Sequence, residues 1–332
     1  MRTDAAGLEL PRVVMEVRGL TKRFPLEGGG FTTACDGVNL RLYEGQTLGV
    51  IGESGCGKST LARTILQIHS ADAGEVIFEG KDILKARGEE KRRNWLRMQM
   101  VFQDPVSAFD PKMRVKDILC EPLLNFGLIG KKDVRDRAAE LLRMVELSED
   151  FMESYPHGMS GGQRQRLGIA RALSLEPKVV ICDEATSALD VSVQEKICRL
   201  LVKLQRERGI SYLFICHDLG LVDMLCNQTA VMYLGSVVEL IERGRISEMC
   251  RHPYTGALME ALFSVNSRSG EKIGVLEGEI PSPRDLPPGC LFFSRCRFHM
   301  EKCRREKPPL KEIAGGHFLA CHIPGGVSAQ GR

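Results

Sequence analysis

The 332-residue chain has no run approaching the roughly 18 consecutive apolar residues that a membrane-spanning helix requires. No helical span is therefore expected within it. Its first eleven residues, Met1 to Pro11, carry no apolar block between a basic start and a cleavage site, so no secretory leader is expected and the chain reads as soluble. An excess of either charge is also missing. The 46 Lys and Arg against 43 Asp and Glu leave a formal +3, far from the basic balance that marks a nucleic-acid binder. Neither an internal repeat nor a low-complexity tract is present, which excludes a solenoid. With 43% hydrophobic residues there is ample material for a buried core, and the length suggests two domains at about 150 residues each.

Cysteine, by contrast, is abundant, with twelve in the chain. In a reducing compartment paired disulfides are a poor explanation for so many. Cys35, Cys56, Cys120, Cys182, Cys198, Cys216, Cys226 and Cys250 are scattered singly, several within apolar runs, and read mostly as small core hydrophobes. Cys290, Cys296, Cys303 and Cys321 instead crowd a segment rich in proline and basic residues. This composition shift marks a boundary.

From Val13 to about Tyr254, short apolar runs alternate with amphipathic ones, the pattern of strands feeding helices in an α/β domain. Strands are predicted at Thr47–Ile51, Val76–Phe78, Gln99–Phe102, Val179–Cys182, Tyr212–Cys216 and Thr229–Tyr233. Between Asp104 and Pro177 the pattern is helical, clearest at Val134–Val145 and Gly162–Leu175, which reads as a helical insert in a sheet domain. Beyond Tyr254 a helix (Gly256–Leu262) and a polar linker (Ser264–Lys272) precede the Pro/Cys-rich tail.

Gly52-Glu53-Ser54-Gly55-Cys56-Gly57-Lys58-Ser59 fits the pattern G-x-x-x-x-G-K-[ST]. It directly follows an apolar strand and precedes a helix-compatible run from Ser59 through Thr60 to Gln67. Glycines let successive backbone N–H groups face a phosphate at the positive end of a helix. Lys58 would then reach the β- and γ-phosphates while the Ser59 hydroxyl ligates Mg²⁺. The alternative, a glycine-rich turn without function, is disfavoured by the strand and helix on either side. Cys56, at a helix N-terminus beside Lys58, is expected to have a lowered pKa and to react readily with thiol reagents.

A second apolar strand ends in Asp183-Glu184, where ligands bind in open α/β sheets. There Asp183 can hold Mg²⁺ through water and Glu184 can polarise an attacking water. Alone, this pair would read as the start of a solvated loop; the phosphate loop upstream favours function. His217 follows a third apolar strand, a position where a lone histidine is more often structural than catalytic. In Met159-Ser160-Gly161-Gly162-Gln163, Ser160 is an N-cap candidate and two glycines open a helix, which makes a second anion site. One ATP does not need two such sites in one chain, so a dimer with ATP sandwiched between chains is expected.

The order and spacing of these segments resemble the ATP-binding cassette (ABC) ATPases, and within them the ATP-binding subunits of dipeptide/oligopeptide importers, over essentially all of residues 13–324. The resemblance implies a P-loop ABC ATPase domain over 1–255, with a RecA-like core, an antiparallel β subdomain and a helical subdomain at about 104–177. A small Cys-rich extension would follow over 256–332. It further implies that Gly52–Ser59 is the Walker A loop and that Gln103 is the Q-loop glutamine sensing Mg²⁺ and the membrane partner. Met159–Gln163 would be the signature, Asp183 and Glu184 the Walker B pair, Ser187-Ala188-Leu189-Asp190 the D-loop, and His217 the switch histidine. Phe24 sits where the family stacks an aromatic on adenine, with Phe31 the alternative. Met159 replaces the more usual leucine, a volume-conserving change.

The tail resembles the family's C-terminal extension at Leu276–Pro283 and Pro287–Cys290, with His252-Pro253-Tyr254-Thr255 as its lead-in. In several relatives that extension carries a cysteine-bound iron–sulfur cluster. The spacing Cys-x5-Cys-x6-Cys-x17-Cys lacks the close pairs of structural zinc sites and suits a four-iron cluster; zinc or free thiols remain alternatives. His299, His317 and His322 leave a mixed-ligand site open. The resemblance also implies partners: a second homologous ATPase subunit or a second copy, two membrane permease subunits, and indirectly an extracytoplasmic solute-binding protein, at the cytoplasmic face of the membrane. Peptides are the expected solute. Nickel or another small solute, or a soluble ABC ATPase unconnected with transport, are the alternatives.

Overall fold

The computed structural model describes residues 12–187, 189–242, 244–265, 281 and 286–327. Met1–Pro11, Ala188 of the expected D-loop, and residues 266–272 and 276–280 of the linker and tail motif lie outside them. The strands are β1 (Val13–Pro25), β2 (Phe31–Tyr43), β3 (Thr47–Ile51), β4 (Ala73–Phe78), β5 (Lys81–Asp82), β6 (Met98–Val101), β7 (Val179–Asp183), β8 (Ser211–Ile215), β9 (Gln228–Tyr233), β10 (Ser236–Ile241), β11 (Lys311–Ala314) and β12 (His317–Leu319). The helices are α1 (Lys58–Ile65), α2 (Gly88–Arg97), α3 (Val115–Asn125), α4 (Val134–Met144), α5 (Gly161–Leu173), α6 (Val191–Arg208), α7 (Leu219–Leu225), α8 (Ile246–Met249), α9 (Pro253–Val265) and α10 (Glu301–Arg305). Every strand and helix the periodicity predicts is present, within a few residues at its ends. Among the described residues no helix is long and apolar enough to cross a membrane.

The residues gather into two compact units that do not follow chain order. One holds residues 12–14, 42–46 and 85–216. There β6, β7 and β8 run parallel, with Met98 opposite Val179 and Val179 opposite Ser211. Every residue of β7 and β8 is buried, which is why both read as unbroken apolar runs rather than alternating ones. Between β6 and β7 come α3, α4 and α5, which pack on one another, with no strand among them. Two of this unit's α-helices carry side-chain caps. Ser160 and Gln163 form a reciprocal capping box at the start of α5, and Asp190 accepts from the Val193 N–H at 3.0 Å at the start of α6.

The second unit holds residues 15–41, 47–84 and 217–327. One sheet has the order β2-β1-β4-β5, with Met15 opposite Phe78 in antiparallel register. In the other, β3 pairs parallel with β9, and β9, β10, β12 and β11 continue antiparallel. The tail therefore adds two strands to the edge of this sheet, with β12 against β10 and β11 outermost. Its anchor is Glu239 in the middle of β10, fully buried, which accepts from His317 Nε2 at 2.8 Å and from the Arg251 backbone N–H at 2.6 Å. Burial alone would raise this carboxyl; the hydrogen bonds outweigh it and hold the group below the ordinary carboxylate range.

His252 is buried nearby and neutral, because burial drives its pKa down to about 4. Its Nδ1 accepts from the Tyr254 backbone N–H at 3.1 Å. A histidine whose folded pKa lies below its unfolded value of roughly 6.5 contributes stability in full above that value and loses it as pH falls toward the folded one. Acidification from pH 7 to pH 5 should therefore remove about 2 kcal/mol through His252 alone. Thermal melts across this range test the assignment: His252→Gln should flatten the dependence, and an unchanged slope would contradict it.

Candidate functional site

β3 is five buried residues long, and the chain leaves its end through Gly52 at φ +151°. A Cβ at Gly52 would lie 2.2 Å from the Met232 carbonyl oxygen, and one at Gly57, φ +105°, 1.9 Å from that of Ala34. Only glycine fits at either place, so the loop is pressed between the end of β9 and the first residues of β2. The β9–β10 hairpin turns through Leu234 and Gly235, both at positive φ. Its Gly235 N–H donates to the Cys56 carbonyl at 2.9 Å, and the Gly235 carbonyl accepts from the Asp36 N–H at 2.9 Å. Lys58 opens α1 with its ammonium buried, and Nζ donates to the carbonyls of Gly52 at 2.8 Å and Glu53 at 2.9 Å. Ser54 and Gly55 at the crest of the loop are exposed, and Ser59 and Thr60 follow on the first turn of α1. The whole is a glycine-shaped concavity at a helix start with a lysine at its base, the form of a phosphate cradle.

Cys56 departs from expectation. It is buried, and burial raises its pKa; the nearby Lys58 opposes this without overcoming it. The field of an ammonium and a helix end acts only on a thiolate that can form, and here desolvation prevents that.

Phe24, at the end of β1, stacks edge-on with His69 and lies 5.2 Å beneath Lys22 Nζ, while Phe31 at the start of β2 is 62% exposed. Both flank the glycine turn 28–30. His217, in the same unit, is exposed and precedes Asp218, which caps α7.

In the other unit, Asp183 is buried at the end of β7 and Glu184 follows in the left-handed region at φ +50°. Glu184 is tied there by its N–H, which donates to the Ile215 carbonyl at 2.9 Å. A non-glycine residue in this region stores of order 1–3 kcal/mol of strain, as functional turns commonly do. The Ser187 hydroxyl donates to the Glu184 carbonyl at 3.0 Å, and the exposed Gln103 reaches that hydroxyl through Nε2 at 3.4 Å. Gln103, Glu184 and Ser187 thus form one linked turn. Ser160 and Gly161 are exposed at the head of α5, and Met159 before them is buried. A Cβ on Gly162 would meet Val193 Cγ1 at 2.7 Å, so α5 starts hard against α6.

The four tail cysteines lie in one neighbourhood, since the thiols of Cys290, Cys296, Cys303 and Cys321 act electrostatically on one another; burial is the main cause that raises Cys290, Cys296 and Cys321. They are not drawn into a coordination set. Among the described residues no group of three or more His, Cys, Asp or Glu side chains is placed to hold a metal ion. The histidines are engaged elsewhere: His317 with Glu239, His322 with the Glu306 carbonyl at 2.9 Å, and His299 with the Cys296 carbonyl at 2.7 Å.

Sequence comparison agrees with this geometry. Residues 35–187 match the family described as ABC transporter, and residues 238–303 match the oligopeptide/dipeptide transporter C-terminal region. A probable peptide ABC transporter ATP-binding protein of Sinorhizobium fredii is 45% identical over 93% of this chain and 90% of its own. The oligopeptide transport ATP-binding protein OppF of Salmonella typhimurium is 43% identical over 95% and 98%. The chain belongs to the ABC transporter ATPases. Among solved structures, the dimeric ATP-binding cassette MJ0796 in a post-hydrolysis state bound to ADP and Pi is 30% identical, with a TM-score of 0.63 over 69% of this chain and 99% of that one.

Two residues remote in sequence also hold the phosphate loop. Tyr254 and Arg295 both contact Glu53, from 201 and 242 positions away. Nothing local in the sequence marks either contact.

Cys56 should resist maleimide at pH 7.5 and label more slowly than the partly exposed Cys226. Mass mapping of a brief reaction checks this; Cys56 among the first sites labelled would refute its burial.

Proposed function

We propose that the chain is the ATP-binding and ATP-hydrolysing subunit of an ABC importer for oligopeptides or dipeptides, working with separate membrane permease subunits. The observation that carries the reading is the glycine-shaped loop with buried Lys58 at the start of α1, in a chain more than 40% identical over most of its length to peptide-transport ATPases. Loop N–H groups and Lys58 bind the phosphates, and Ser59, Asp183 and Gln103 are the proposed holders of Mg²⁺. Their donors are hydroxyl, carboxylate and amide oxygens, the hard ligands this ion prefers. Held there, the ion would neutralise the charge of the phosphates. Glu184 orients and polarises the attacking water, and His217 is the switch residue beside the γ-phosphate. Phe24 is the adenine-stacking residue.

Ser160, Gly161, Gly162 and Gln163 form a helix start whose Ser160 and Gln163 N–H groups are taken by the capping box, so the Gly161 and Gly162 N–H groups and the Ser160 hydroxyl would complete a neighbour's nucleotide site, consistent with the dimeric cassettes among the similar structures. The second subunit is a homologous ATPase or another copy. The assembly would sit peripherally at the cytoplasmic face of the membrane, held by its permeases and served by a solute-binding protein on the far side. A four-iron cluster on Cys290, Cys296, Cys303 and Cys321 is a separate proposal. It is supported by their shared neighbourhood and all-thiol character, while the present side-chain positions do not form the ligand set.

Glu184→Gln should keep ATP affinity and lose about 10²–10⁴-fold in turnover, whereas Lys58→Ala should weaken binding itself. Equilibrium binding and phosphate release on both variants separate the roles; near wild-type turnover in Glu184→Gln would remove it. Ser160→Arg should leave this chain's own loop able to bind ATP while abolishing ATP-driven dimerisation, as read by light scattering. For the tail, iron analysis of anaerobically purified protein should give about four irons per chain; zinc, or no metal, would overturn the cluster.

A further inference from the structure

Glu53 is the second residue of the phosphate loop, and each of its polar groups is taken by a different segment of one unit. Its N–H donates to the Tyr254 hydroxyl at 2.8 Å, and its carbonyl accepts from Lys58 Nζ at 2.9 Å. Its carboxylate forms a two-pronged pair with Arg295, Nη1 to Oε2 at 2.8 Å and Nη2 to Oε1 at 2.9 Å. The Arg295 side chain is only 3% exposed. Its guanidinium lies 5.9 Å from the ring centres of both Tyr233 and Phe292, and Nη1 also reaches the Tyr233 hydroxyl at 3.4 Å. Arg295 itself ends a 3-10 turn, Phe293–Arg295, between Cys290 and Cys296. That turn is closed by the Phe293 N–H on the Cys290 carbonyl and the Cys296 N–H on the Phe293 carbonyl.

A loop that gathers a polyanion works against itself if it also carries a bare carboxylate. At Glu53 the guanidinium cancels that charge where water cannot, because the pair is largely desolvated. The same residue's carbonyl seats the lysine ammonium, so rotation of Glu53 would displace Lys58. Two of the three holds come from beyond the segment that contains the ATPase motifs.

We propose that Arg295 is a positioning residue for nucleotide binding: by neutralising and holding Glu53 it keeps the phosphate loop and the seat of Lys58 in binding form, so that the C-terminal extension sets the affinity for ATP. The proposal rests on the ATPase reading above. It assigns to the extension a task separate from its cysteines.

The test is binding of a fluorescent ATP analogue to the full chain, with ATPase kinetics and a thermal melt on the same samples. Arg295→Gln should weaken binding about tenfold or more and raise the KM for ATP in step, with kcat changed far less. Arg295→Lys, which keeps the charge but not the fork, should fall between it and wild type. Adding Glu53→Gln to Arg295→Gln should recover most of the lost affinity, because the uncompensated carboxylate is gone. A purely structural role would lower the melting temperature yet leave affinity below the melt unchanged; that result in folded Arg295→Gln overturns the proposal. If Arg295→Gln gives no cooperative melt, Arg295→Lys decides, and wild-type affinity there overturns it equally. Wild-type protein that binds no nucleotide would instead bring down the ATPase reading, and this proposal with it.

Discussion

A lysine ammonium removed from water must find oxygen atoms, and the architecture around the phosphate loop follows from that requirement. Lys58 takes the Gly52 and Glu53 carbonyls, which obliges the loop to wrap tightly around its own helix start. Tight wrapping brings backbone to within a few ångströms of backbone, so Gly52 and Gly57 have no room for a side chain against Met232 and Ala34. The same closeness lets the β9–β10 turn donate to the Cys56 carbonyl and keeps the Cys56 thiol out of water. The buried lysine, the glycines and the buried cysteine are thus consequences of one packing problem.

The few aromatic residues of the chain, 6% of the total, are used economically around this loop. Tyr233, Tyr254 and Phe292 form one cluster, with ring centres 4.6 Å apart for the two tyrosines and 5.4 Å from each tyrosine to Phe292. All three are almost fully buried. Such pairs contribute about 0.5–1.5 kcal/mol each beyond the area they bury. Two also have hydroxyls that serve polar contacts at Glu53 and Arg295. The cluster joins β9, α9 and the cysteine-flanked turn, so the tail is continuous with the core of the phosphate-binding unit. Buried Glu239 makes the second tie, through His317 on β12.

Function and stability draw on different parts of this arrangement. Asp183 emerges from a wholly buried strand and is rigidly aimed, while Glu184 occupies a left-handed backbone that the Ile215 carbonyl holds in place. Ser160, by contrast, already caps its own helix, and it and Gly161 are exposed. The first turn is strained and held from both sides; the second is satisfied internally and exposed.

The phosphate loop, the Asp183-Glu184 strand end, the capped signature helix and six strands were legible in the sequence, because each is encoded within a dozen consecutive residues by apolar runs, glycine placement and cap chemistry. β1 and β2, which alternate buried and exposed positions over 13 residues each, were not located individually, and β10 was hidden by Glu239, a charge that reads as solvent-facing until its partner His317 is known. The lowered pKa expected of Cys56 is reversed for a related reason: burial raises it, and the field of its sequence neighbour Lys58 does not overcome that. Arg295 and Glu53, 242 residues apart, could be joined only by the folded chain. Local motifs are short-range statements about backbone and charge. Desolvation and pairing depend on what the tertiary structure packs beside them.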